Sequence, residues 1–209
     1  MRRPAIDFYF EFASSYSYPA AMRIAPLAQA AGVTVRWRPF LLGPLFRAQG
    51  WETSPFNLYP AKGRYMWRDL ERICGRLALP LRRPDPFPQP SLLAARVAHA
   101  GFAAGWGDAF CRAVFAAEFG DGLPIGEEVI IVELLRDLGV APEPALARAR
   151  SEEIKAALRA TTGEAEQAGV FGAPSFVAAD GELFWGQDRM AEALAWAVRA
   201  ATGASHPRA

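Results

Sequence analysis

The chain has little of what usually carries chemistry. Among 209 residues there are 2 cysteines, Cys74 and Cys111, and they form no CxxC pair. That excludes a disulfide scaffold and a thiolate zinc site, and points to an intracellular, cytoplasmic protein. The 2 histidines, His99 and His206, cannot build a multi-histidine metal centre, so no metal is expected. Only His99 is available to a Ser-His-Asp triad, because His206 lies in a Gly/Ser/Pro tail, and nothing around His99 suggests one. Charge of one sign is also missing. Lys+Arg is 23 and Asp+Glu is 22, a formal net charge of +1, which leaves no basic footprint for nucleic acid or an anionic membrane. No run of 18 apolar residues is free of charge, so no transmembrane helix is expected. Arg2 and Arg3 invite a leader-peptide reading, but apolar residues at 6, 8, 10 and 12 alternate with Asp7 and Glu11, which is strand texture.

What the chain does have is apolar material. It is 52% hydrophobic, with 6 Trp and 14 Phe, enough to build a real core. The alternation at 5–12 predicts a strand, and residues 15–31 predict a helix stopped by Gly32. Residues 33–38, ended by Pro39, predict a second strand. Strand–helix–strand with short turns is a βαβ unit, so the two strands should be parallel. Residues 43–63 read as a loop rich in Gly, Pro and aromatics. Helices are predicted at 64–79, 91–104, 107–118, 127–138 and 142–149, with a second Pro-rich loop at 80–90. The run Val129 to Val132 is apolar enough for a strand, but its acidic and basic neighbours fit a helix better. A helix at 151–168 opens on Ser151 as N-cap. A strand follows Pro174, Asp180-Gly181 makes a hairpin turn, residues 182–185 return, and a last helix covers 188–201. The tail from Thr202 is expected to fray.

The fold class is therefore α/β. A βαβ unit at one end and αββα at the other share one four-stranded sheet, the thioredoxin-like layout, with an all-α helical insertion domain. The expected division is 1–42, 43–150 and 151–209.

Ser14 falls where the first strand hands over to the first helix. Ligands in open α/β sheets bind beyond the carboxyl ends of strands, and a helix N-terminus offers free N–H groups and partial positive charge. Ser14 or Ser15 is either a helix cap or a residue facing a ligand. Ser14 and Ser17 stand where a thioredoxin-like redox protein carries Cys-x-x-Cys. Disulfide exchange needs a protein thiolate, so it is excluded here. A serine can still hydrogen-bond a thiolate brought by a ligand, and the implied ligand is a thiol cofactor, glutathione. Ala173-Pro174 is a candidate cis bond, or else a trans proline opening a strand. Its backbone can pair with a bound peptide as an added strand. Gln187 and Asp188 either cap the last helix or hold the γ-glutamyl end of such a peptide. Of the 23 basic residues only Lys62 and Lys155 are lysine. Lys155 lies on an ordinary helix face. Lys62 is a solvated loop lysine or an anion-binding residue over the site. Cys74 and Cys111 read as buried small hydrophobes.

Residues 6–20 (IDFYFEFASSYSYPA), 40–48 (FLLGPLFRA), 60–69 (PAKGRYMWRD) and 169–190 (GVFGAPSFVAADGELFWGQDRM) resemble the 2-hydroxychromene-2-carboxylate isomerase family, part of the DsbA-like, kappa-class glutathione transferase group. The resemblance implies a thioredoxin domain with a helical insertion, a homodimer, and one glutathione per subunit. It implies a catalytic role for Ser14 and glutathione contacts from Asn57, Lys62, Ala173, Pro174, Gln187 and Asp188. It further implies isomerisation between 2-hydroxychromene-2-carboxylate and trans-o-hydroxybenzylidenepyruvate by reversible thiolate addition. Tyr16, Trp67 and Phe87 would wall the pocket for this small aromatic carboxylate, with Arg47 and Lys62 on the carboxylate. A transferase that conjugates electrophiles, or a non-catalytic thioredoxin-fold binding protein, would use the same scaffold. The chain departs from the family at Ser15, where proline is usual, at Pro19, where leucine is commoner, and at Gln89-Pro90.

Overall fold

The computed structural model describes residues 3–203; Arg2 and the tail residues 204–209, His206 among them, lie outside that range. Strand β1 (Ala5–Phe10) is the centre of the molecule. Its alternation sends Ile6, Phe8 and Phe10 to one face, where all three are fully buried, and Asp7 and Tyr9 to the other. Strand β2 (Thr34–Pro39) pairs with it in parallel, in register from Ala5 against Thr34 to Phe10 against Pro39. Strand β3 (Ser175–Ala178) lies antiparallel on its other side, and β4 (Leu183–Trp185) pairs antiparallel beyond that, giving the order β2-β1-β3-β4. The parallel β1–β2 pair, the β3–β4 hairpin and the single four-stranded sheet match the sequence expectation. Helix α1 (Ser17–Ala31) makes the parallel crossover and ends on Gly32, whose φ of 66° is the left-handed conformation that glycine adopts without a Cβ clash.

Among the described residues eight α-helices lie between the two halves of the sheet, the last of them α9 (Glu152–Gln167), and seven precede it. These are α2 (Leu42–Ala48), α3 (Pro55–Leu58), α4 (Pro60–Leu77), α5 (Leu92–Ala104), α6 (Gly107–Phe115), α7 (Glu128–Asp137) and α8 (Pro142–Ala149). Helix α6 runs on into a single π-turn, Ala116–Gly120. Helix α9 (Glu152–Gln167) opens on Ser151, whose hydroxyl accepts from the Ile154 N–H. A short 3₁₀ turn, Gln187–Arg189, leads into α10 (Met190–Ala201). The apolar run Val129 to Val132 is helical, within α7.

One expectation is corrected. Residues 43–63 are not a loop, because α2, α3 and the first turn of α4 occupy most of them. Pro55 and Pro60 are the reason. Each takes a first-turn position of its helix, where the missing N–H has no partner to lose, so the prolines start helices rather than interrupt them. The Ser54 hydroxyl accepts from the Phe56 N–H and completes the entry to α3.

The sheet buries both faces. On one, Phe8 stacks on Phe176 with ring centroids 5.3 Å apart, and Phe10 and Phe12 meet Phe115 of α6 at 5.8 and 5.1 Å. This aromatic seam joins the sheet to the helical insertion in one continuous core that also takes in α1, α5 and α10. On the other face Tyr9, Phe40, Leu45, Ala165, Val170 and Val177 form a smaller core under α9. Burying each phenyl ring contributes about 1.5–3 kcal/mol. The carboxyl end of β1 is thereby fixed from both sides.

Candidate active site

The chain leaves β1 through a turn in which the Ser14 N–H donates to the Glu11 carbonyl and the Ser17 N–H to the Ser14 carbonyl, each at 3.0 Å. Glu11 anchors this turn. It is buried, and its carboxylate accepts from the Leu42 N–H at 3.0 Å and from the Ser91 hydroxyl. The end of β1 is thus tied to the starts of α2 and α5. Burial raises the Glu11 carboxyl above its ordinary value, against the opposing effect of those hydrogen bonds.

Neither Ser14 nor Ser15 caps α1 with its side chain. The cap position is Tyr16, with no side-chain cap hydrogen bond. The Ser14 hydroxyl donates instead to the carbonyl of Ala173 at 2.9 Å, across 159 residues of sequence. Ala173–Pro174 is cis. The loop around it is fixed by Ser175 donating to the Gly172 carbonyl at 2.8 Å and by the Gly186 N–H donating to the Pro174 carbonyl at 2.9 Å. Ser14, the N-terminal turn of α1 and the Ala173–Pro174 backbone therefore meet at one point. Cys74 and Cys111, the chain's only cysteines, are both buried in the core, and burial pushes the Cys74 thiol up to about 11 and the Cys111 thiol well above its usual value.

Gln187 and Asp188 lie on the 3₁₀ turn just past Gly186. The Gln187 carbonyl oxygen accepts from Arg23 of α1 at 3.2 Å. Asp188 is exposed, and its carboxylate lies 3.7 Å from the guanidinium of its neighbour Arg189. Next to them, the half-exposed rings of Phe171 and Trp185 meet at a tilt, 4.9 Å apart, with Trp185 lying over Gly172. A Cβ at Gly172 would come within 2.6 Å of the Trp185 Nε1, so glycine is what lets the indole lie on the loop.

Helix α4 is pinned to this turn. The Ser15 hydroxyl reaches the Met66 sulfur at 3.1 Å, and the Tyr16 hydroxyl donates to Asp69 at 3.1 Å. Burial and then the Asp69 charge raise the Tyr16 phenol. The Tyr16 ring lies 6.2 Å from Phe56. Beside this contact α3, α4 and the loop after α4 line an open cavity of about 390 Å³. Pro60, Gly63, Arg64 and Trp67 contribute to it from one face of α4, at i, i+3, i+4 and i+7. Asn57, Arg83 and Phe87 close the other side. The Phe87 ring meets Trp67 edge-on at 4.9 Å, and Asn57 donates to the Phe87 carbonyl at 3.3 Å.

The structure thus brings Asn57, Trp67 and Phe87 together, with Tyr16 at the junction to Ser14. It does not bring Arg47 or Lys62 there. Arg47 is exposed on α2. Lys62 is exposed in the first turn of α4, with its ammonium 4.6 Å from the centre of the Tyr59 ring. Glu11, Arg64, Arg83, Phe171 and Trp185 escaped the sequence reading. For Arg64 a signal existed, since it precedes Trp67 by three residues on a helix and shares its face.

One more ionisable group is buried nearby. Both carboxyl oxygens of Glu118, on the π-turn, lack a hydrogen-bond partner among the described residues. Burial, then the charge of Glu11, pushes its carboxyl well above the ordinary value.

Fold and site together define a DsbA-like thioredoxin-fold protein with serine at the junction of β1 and α1 and with its own thiols sealed in the core. Comparison with known proteins narrows this. The model of the DSBA-like thioredoxin domain matches residues 5–195. A 2-hydroxychromene-2-carboxylate isomerase of Sphingobium xenophagum is 30% identical over 186 residues, 88% of this chain and 93% of that one. A glutathione S-transferase kappa 1 of Caenorhabditis elegans is 39% identical over 85 residues, 40% of this chain and 37% of that one. A solved 2-hydroxychromene-2-carboxylate isomerase superposes with a TM-score of 0.83 at 26% identity, covering 97% of this chain and all of that one. The chain belongs to the 2-hydroxychromene-2-carboxylate isomerase family of DsbA-like thioredoxin-domain proteins.

Proposed function

We propose that the chain is a glutathione-dependent isomerase that interconverts 2-hydroxychromene-2-carboxylate and trans-o-hydroxybenzylidenepyruvate, working in the cytoplasm as a homodimer. The observation that carries this reading is the hydrogen bond from Ser14 to the Ala173 carbonyl, at a thioredoxin-type active-site position without a thiol. The residues present fit a thiol-bearing peptide. A hydroxyl has one proton to give. When Ser14 turns that proton to a thiolate, it releases the Ala173 carbonyl, which becomes free to accept a peptide N–H from an added strand. The N-terminal turn of α1 favours negative charge at the same point. The exposed carboxylate of Asp188 and the Gln187 amide stand past Gly186 to receive the charged end of the peptide.

Glutathione, when bound, would supply a nucleophilic thiolate. The protein's share is orientation and electrostatics. Ser14 and the α1 N-terminus hold the sulfur in its charged form. Tyr16 and the cavity beside it place the flat substrate, with Trp67 and Phe87 as walls.

Two measurements test the reading. Millimolar glutathione should raise the melting temperature, and the protein should convert 2-hydroxychromene-2-carboxylate to its isomer only when glutathione is present. No stabilisation together with no turnover overturns it. The likeness to the C. elegans kappa-class protein favours a second reading, a transferase. Release of a covalent glutathione conjugate in place of the isomer would establish that one.

A further inference from the structure

We infer that Arg64 and Arg83, together with the rings of Trp67 and Phe87, form an aromatic-carboxylate subsite, and that these two arginines take the place first assigned to Arg47 and Lys62. The inference deepens the reading above and rests on it for the kind of substrate involved.

Three observations converge. The first is pairing. Arg36, Arg38, Arg68, Arg72, Arg112, Arg148, Arg150 and Arg189 all lie within ion-pair distance of a carboxylate. Among the described residues Arg64 and Arg83 have no carboxylate partner, a state they share with others such as Arg47, Arg76 and Arg82; what sets the two apart is that both border the same cavity. Asp69 of α4 is already engaged by Tyr16 and Arg72. Two guanidiniums left together at one opening call for an anion, and a planar guanidinium matches a carboxylate with two parallel hydrogen bonds.

The second observation is shape. Trp67 and Phe87 meet edge-on, and the Arg83 guanidinium lies 5.2 Å from the centre of the Trp67 ring. That stacking holds the guanidinium on the indole. A cavity of about 390 Å³ accepts a one- or two-ring acid and sits at the lower end of the roughly 300–1,000 Å³ range of small-molecule sites. The third observation is position. The cavity adjoins Phe56, which contacts Tyr16, two residues from Ser14. An acid held there extends toward the proposed sulfur site.

The test is a titration monitored by tryptophan fluorescence, without glutathione, using trans-cinnamate and its uncharged amide as probes. Cinnamate should bind and the amide should bind about tenfold or more weakly, the loss expected for charge-assisted hydrogen bonds. The double variant Arg64→Ala/Arg83→Ala should lose that preference and bind both probes alike. Arg68→Ala, whose guanidinium pairs with Glu71 away from the cavity, should behave as wild type. Both arginines are exposed, so unchanged melting of the double variant verifies its fold. Equal binding of the two probes by the wild type overturns the inference, as does cinnamate binding unaffected in the double variant. So does a double variant that loses glutathione stabilisation while keeping cinnamate, because the anion would then be a glutathione carboxylate. Cinnamate binding in a protein that ignores glutathione supports the subsite and overturns the glutathione reading.

Discussion

Replacing Glu118 by glutamine should stabilise the protein by an amount that grows with pH. Both oxygens of this carboxyl are buried without a hydrogen-bond partner among the described residues, and its pKa stands well above the ordinary 4.5. The folded state therefore binds a proton that the unfolded chain releases. The stability this contributes is fully present below pH 4.5 and is lost as pH rises toward the folded value, at up to about 1.4 kcal/mol per pH unit. Glutamine keeps the shape and does not titrate. Wild type and variant should match near pH 4.5 and diverge above it, with the variant more stable. Glu11 titrates in the same direction and leaves a residual slope in both proteins. Urea unfolding at fixed ionic strength across pH 4.5–8 measures the difference, and about 1 kcal/mol moves the melting temperature of a chain this long by roughly 2–4 °C. A difference that is flat across pH, or that shrinks as pH rises, would refute the reasoning.

Ser14→Ala should raise the thiol pKa of bound glutathione by about one to two units, the worth of one hydrogen bond to a charged group, roughly 1.5–3 kcal/mol; an unmoved pH–rate profile counts against the assignment. Gly63→Ala places a methyl group against the backbone carbonyl of Phe56, which no side-chain rotation relieves. It should cost about 1–3 kcal/mol and weaken cinnamate binding, and a variant that retains both stability and binding shows that α3 can move away at little cost. Cys74 and Cys111 are buried with raised thiol pKa values, so an aromatic disulfide reagent at pH 8 should find no reactive thiol in the native protein and 2 once it is unfolded.

Much of this arrangement is legible in the chain because it rests on local patterns. Ile6, Phe8 and Phe10 alternate, Gly32 stops α1, Asp180-Gly181 turns the hairpin and Ser151 caps α9. What was not legible depends on context. Proline composition alone made 43–63 look like a loop, whereas the placement of Pro55 and Pro60 at first-turn positions decides for helices. Glu11 looks like the polar side of an alternating strand, yet β1 ends at Phe10 and the carboxylate turns inward to Leu42 and Ser91. Lys62 drew notice because lysine is rare here, but helical phase, which rarity ignores, puts Arg64 beside Trp67 and leaves Lys62 on another face. The partnership of Ser14 with Ala173 becomes visible only when the thioredoxin layout is assumed.

That partnership also sets an order of events during synthesis. When β1, α1 and β2 have left the ribosome, one side of β1 is still an open strand edge rich in phenylalanine. It stays open until β3 emerges, after all the intervening helices. Open apolar edges invite pairing with other chains. The carbonyl that Ser14 engages arrives with the same late segment that closes the edge. A nascent chain therefore makes the Ser14–Ala173 contact and closes this open edge in one step, and a chain cut short before β3 has the open edge without the contact.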